Sequence, residues 1–168
     1  MTSQEISSKL CAECGFCCNG VIFADVRLQD GDNPAGLPGL KQARSGPARL
    51  PQPCPALQGL LCTIYARRPG HCRNFECLLF QKVLADASKL PSAQRTVASS
   101  RKLLLRIHKL LATLGDQDDH LPLSRRLQRT ARRMERQGDD PILADAYSTL
   151  TLAAHQMNTV LQNKFYPG

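Results

Sequence analysis

From Pro91 onward, apolar residues recur every three or four positions, the interval that gathers them on one side of an α-helix. Val97, Leu104 and Leu111 repeat by seven, Ile107 and Leu114 fill the alternate spacing, and Leu103 and Leu110 widen the stripe. Pro91 or Ser92 suits the first turn of this helix, and Gly115 sits where a terminating glycine belongs. A shorter helix is predicted from about Ser124 to Gln137, stopping near Gly138, with Leu123, Leu127, Ala131 and Met134 along one side. Asp139 or Asp140 can cap a third helix that carries Pro141 in its first turn. Its seam is Leu143, Ala146, Leu150, Ala153, Met157 and Val160. With a further helix near Leu78–Lys89, these segments predict a small antiparallel bundle over residues 81–168.

The first 80 residues lack such periodicity. Val21–Leu28 can form a strand on its β-formers Val21, Phe23 and Val26, but elsewhere apolar residues are scattered among breakers. Seven Pro and eight Gly fall at or before Phe80, against four and three after it. The expected fold is mainly α: an irregular Cys-rich N-terminal module with little strand, residues 1–80, followed by the helical bundle. The boundary falls near Cys77–Lys82, and no internal repeat is present.

Composition narrows the class. No apolar run approaches the ~20 residues of a membrane-spanning helix, and Met1–Leu10 has no apolar core of a secretory signal. A cytoplasmic protein is expected. There are 22 Lys and Arg against 14 Asp and Glu, a net charge of +8.

All eight cysteines lie early: Cys11, Cys14, Cys17, Cys18, Cys54, Cys62, Cys72 and Cys77. A loop-rich segment needs cross-links or a metal to offset its ordering entropy. Cytosolic disulfides are rare, which favours metal. Cys11, Cys14 and Cys17, two residues apart each, can present three thiolates from one tight loop, with Gly15 supplying a positive φ. Such runs with a remote fourth cysteine hold iron–sulfur clusters, and paired C-x2-C units make zinc sites. Side chains of adjacent residues diverge, so Cys17 and Cys18 point to different centres. Eight thiolates then suggest two sites of four, or one cluster plus a separate site, with Cys11, Cys14, Cys17 and one remote cysteine as a preferred set. Arg67, Arg68, Arg73 and His71 lie among the last cysteines. These cations either offset thiolate charge or pair with Asp25, Asp30, Asp32 or Glu76.

The string Cys11-Ala-Glu-Cys14-Gly-Phe-Cys17-Cys18, with Cys54, Cys62, Ile64, Tyr65, Arg68, Pro69, Cys72, Arg73, Phe75 and Cys77 at their spacings, resembles the YkgJ-type cysteine-cluster family. The resemblance covers residues 11–77. It implies a zinc- or iron-chelating domain whose metal ligands are the eight cysteines. It names no substrate or protein partner. Flagellin lysine methylases share the cysteine pattern, which keeps an iron–sulfur-dependent, methyltransferase-like enzyme as an alternative. Tyr65 and Phe75 are expected to fill a small core around the centre, and Arg68 to brace a turn.

Arg125, Arg129, Arg132, Arg133 and Arg136 gather on one helix face. That face is expected to be solvated; binding nucleic acid through it is the other alternative, though interleaved aromatics and finger spacings are absent. No phosphate cradle, dinucleotide turn, nucleophile elbow or H-E-x-x-H occurs, so no catalytic residue is assigned. The favoured function is metal binding, zinc or iron–sulfur, in an accessory or structural role.

Overall fold

The computed structural model describes residues 1–42, 45–136 and 140–167. They form two compact units. One comprises Met1–Cys14, Glu76–Asp118 and Arg126–Gly168; the other comprises Gly15–Phe75 and Asp119–Arg125.

The first unit is helical. Helix α1 (Ser3–Ile6) opens on a capping box in which Thr2 and Glu5 satisfy each other's backbone amides. It continues through a π-helical stretch, Ser7–Cys11, into α2 (Ala12–Cys14). Ile6 and Leu10 are buried here, which ties the N-terminal segment to the helical unit. Helix α4 (Leu78–Ala85) buries Leu79, Phe80 and Val83. Helix α5 (Leu90–Thr113) buries the predicted stripe Val97, Leu104, Ile107 and Leu111, and Leu114 follows it inside. The end of α5 is a Schellman motif: the Gly115 amide donates to the Ala112 carbonyl and the Asp116 amide to the Leu111 carbonyl. Gly115 has φ +79°, a conformation disfavoured for residues with a Cβ.

Helix α6 (Leu123–Met134) starts at Leu123. Its expected inner side is only partly buried at Leu127, Ala131 and Met134, while Arg126 and Thr130 are buried instead. Helix α7 (Pro141–Val160) is capped by Asp140, whose carboxylate accepts the amides of Ile142 and Leu143. It packs against α5 with Leu150, Ala153 and Met157 buried. The expected stop at Gly138 and the alternative cap Asp139 lie outside the described residues.

The second unit has little regular structure. Strand β1 is Asp25–Arg27, antiparallel to β2, Arg49–Pro51, with Val26 opposite Leu50. The predicted strand over Val21–Leu28 is thus confined to its second half, because only there does a partner supply hydrogen bonds. β3 (Leu57–Gln58) and β4 (Leu61–Cys62) form a minimal hairpin. A 3-10 turn at Tyr65–Arg67 leads to the short helix α3, Gly70–Asn74. The core of this unit joins Val26, Leu28, Leu37, Leu50, Ala56 and Ile64 to Cys54, with Cys18, Cys62 and Cys72 packed against it.

Candidate metal centre

Local hydrogen bonds bring four thiols into that core. The Cys54 amide donates to the Cys18 carbonyl at 2.7 Å, joining two segments far apart in sequence. A turn with Pro55 at its second position closes when the Leu57 amide donates to the Cys54 carbonyl, 2.9 Å. The β3–β4 hairpin follows, and Thr63 returns its amide and hydroxyl to the Ala56 carbonyl at 2.9 and 3.0 Å, which brings Cys62 back towards Cys54. Cys72 rides on α3. That helix is held by Asp32, whose carboxylate accepts the Gly70 amide at 2.7 Å and the Gln29 amide at 2.8 Å.

The four share one core, and burial dominates the ionisation of three of them. Burial pushes the Cys18 thiol up to about 12, and negative charge on Cys54, Cys62 or Cys72 pushes it the same way. Burial, then Cys54, raises Cys72 to about 11. Burial also raises Cys54, against the amides of Ala56 and Leu57. Arg68 opposes the rise at both Cys18 and Cys72. So Arg68 offsets thiolate charge, whereas Arg73 stands 3.8 Å from the buried Asp32 carboxylate; each expected role of these cations is taken by a different arginine. The thiols are near but not closed on a point: among the described residues, no three His, Cys, Asp or Glu side chains are grouped tightly enough to hold an ion. The chemistry of the donor set, four sulfurs in an apolar core with a cation beside them, fits zinc or an iron centre.

The other cysteines are differently placed. Cys11 ends the π-helical stretch and Cys14 ends α2, so these two are carried on helix, and the loop begins only at Gly15 with φ +72°. Cys17 is half-buried in the second unit. Cys77 is the N-cap of α4; burial raises its thiol, and the Phe80 and Leu79 amides counteract that rise.

Surrounding residues depart from expectation in instructive ways. Tyr65 is 46% exposed rather than filling a core, and its ring instead carries the Arg68 guanidinium at 3.6 Å. Arg68 Nε also donates to the Tyr65 carbonyl at 3.0 Å, the expected turn brace. Phe75 packs edge-on to Phe23, 4.8 Å between ring centres, and Phe23 packs edge-on to His71, 5.0 Å. This aromatic group, seated beside Cys72 in sequence, had no periodic signal to reveal it.

The arginine face of α6 is partly structural. Asp116 is fully buried and accepts from Arg126 Nε at 3.0 Å and from Arg129 Nη2 at 2.9 Å. Arg129 also bridges to Asp118, and Arg133 donates to the Gly115 carbonyl at 3.0 Å. Arg126, absent from the predicted face, is buried. These contacts remove Arg129 and Arg133 from a purely solvated face; Arg125, Arg132 and Arg136 stay exposed.

Comparison with known proteins finds one family. The model of the CxxCxxCC family, described as "Putative zinc- or iron-chelating domain", matches residues 10–95, a little over half of the chain. No curated protein matches. No solved structure matches.

Proposed function

The chain belongs to the CxxCxxCC family, and from that premise we propose that it holds zinc or iron through its cysteines, with Cys18, Cys54, Cys62 and Cys72 as the core of one centre. The observation that carries this reading is the packing of these four cysteines against one small core, from four separate stretches of the chain. Without a cation these buried thiols stay protonated; as thiolates, four sulfurs in one apolar core would repel one another and lack solvation. A bound ion supplies that positive charge, and its capture releases thiol protons.

The role is structural. Four sulfur ligands leave no open position for a substrate. The unit they sit in has only short strands and short helical turns among its described residues, so a metal cross-link would add to the order its small apolar core supplies. A reducing cytoplasm suits a centre built of thiols. Elemental analysis and a visible spectrum of protein purified without oxygen test the reading. Colourless protein with stoichiometric zinc, or coloured protein with iron and sulfide, is expected, and Cys54→Ser should lose metal. Metal-free protein that keeps its near-ultraviolet circular dichroism, or Cys54→Ser with full metal content, would overturn it.

A further inference from the structure

Beside α3 the second unit has a cleft of about 220 Å³ that shares Arg68 with the metal reading. Arg67, Arg68 and Arg73 line it together with Asp32 and Asn33. Two of the guanidinia are steadied from behind. Arg68 is stacked on Tyr65 and bonded through Nε to the Tyr65 carbonyl. Arg73 Nη1 donates to the Arg68 carbonyl at 2.7 Å. Arg67 is exposed, and its guanidinium lies over Gly36, with Nη1 2.8 Å from where a Cβ would stand.

The charge of the cleft is unbalanced. Among the described residues Asp32 is its one carboxylate, and that group is 3% exposed and already accepts the Gly70 and Gln29 amides. Three cations therefore face one screened anion. Guanidinium has five N–H donors in a planar fork that matches the oxygens of a phosphoryl group. The hydrogen bonds above use Nε of Arg68 and Nη1 of Arg73, which leaves further donors on both.

We infer that this cleft binds a phosphoryl dianion, free or carried on a small molecule, through Arg67, Arg68 and Arg73. The inference does not rest on the metal reading. Its clean probe is Arg67→Ala, because Arg68 also acts on the thiols and Arg73 on the fold. Titration calorimetry on the full chain, as purified and at low ionic strength in chloride buffer, should show saturable one-to-one binding of inorganic phosphate or of phosphoserine. The tighter of the two identifies whether the group is free or carried. Arg67→Ala should weaken that binding about tenfold, the size expected for one charge-assisted contact, with metal content unchanged. Arg125→Ala, an exposed arginine outside the cleft, should bind as the natural chain does. No saturation with either probe, or equal affinity in Arg67→Ala, would overturn the inference whatever the metal content.

Discussion

Replacing Asp116 by Ala removes the anion from a buried charge network and leaves Arg126 behind. The Arg126 side chain is 6% exposed and its Nε lies 3.0 Å from the Asp116 carboxylate, which itself is fully buried. Its Nη2 also donates to the Asp116 carbonyl at 3.1 Å, so the guanidinium is committed to this spot. Removing one partner of a buried pair costs about 3–5 kcal/mol, because an uncompensated charge stays in the interior. The Arg129 bridge is 45% exposed on the arginine side, so solvent screening leaves it a minor contributor. A loss of about 3–5 kcal/mol is a large share of the roughly 5–15 kcal/mol that holds a typical domain together. Urea denaturation followed by circular dichroism at the helix band measures it. The double variant Asp116→Leu with Arg126→Met should recover most of the loss, since it removes the charge and its partner together. The pH dependence has a definite sign. Burial alone would raise the Asp116 carboxyl, but the Arg126 and Arg129 hydrogen bonds outweigh it and hold it below the usual carboxylate range. Its contribution is therefore complete above the unfolded value of about 3.9 and disappears as pH falls through the lower folded value. The gap between natural chain and Asp116→Asn should be full at neutral pH and close in strong acid. An Asp116→Ala loss under about 1 kcal/mol, or a gap that widens in acid, would refute the assignment of a buried ion pair.

Three further outcomes are expected. Gly115→Ala should cost about 1–2 kcal/mol from backbone strain alone, because the new Cβ would meet Arg133 only at an ordinary 3.6 Å; an unchanged urea midpoint would refute the Schellman end of α5. Leu111→Ala, at a fully buried site on α5, should cost about 2–5 kcal/mol in the same assay, and a loss below about 1 kcal/mol would place Leu111 outside the core. If a structural metal is held there as proposed, a strong chelator should speed amide hydrogen exchange at the residues around Cys54 and Cys62 while α5 and α7 keep their protection; the same exchange with and without chelator would overturn that proposed role.

The helices were legible from residue pattern alone. The seven-residue repeat of Val97, Leu104 and Leu111, the glycine at 115 and the Asp140–Pro141 start are local signals, and local hydrogen bonding and helix periodicity turn them directly into α5 and α7. The eight cysteines and their spacing likewise identified the family and its metal chemistry, because thiolate ligation depends on residue type before it depends on shape. What tertiary structure alone decided is which groups meet. Cys18, Cys54, Cys62 and Cys72 reach one small core through a backbone bond across 36 positions, a proline turn and an aspartate at a helix start, none of which has a period to read. Arg126 carried no signal in the sequence, and the fold buries it against Asp116; Tyr65 was expected in a core, and its ring is instead a platform for Arg68. Burial and charge pairing are properties of neighbours distant in the chain, so they become visible only when the chain has folded.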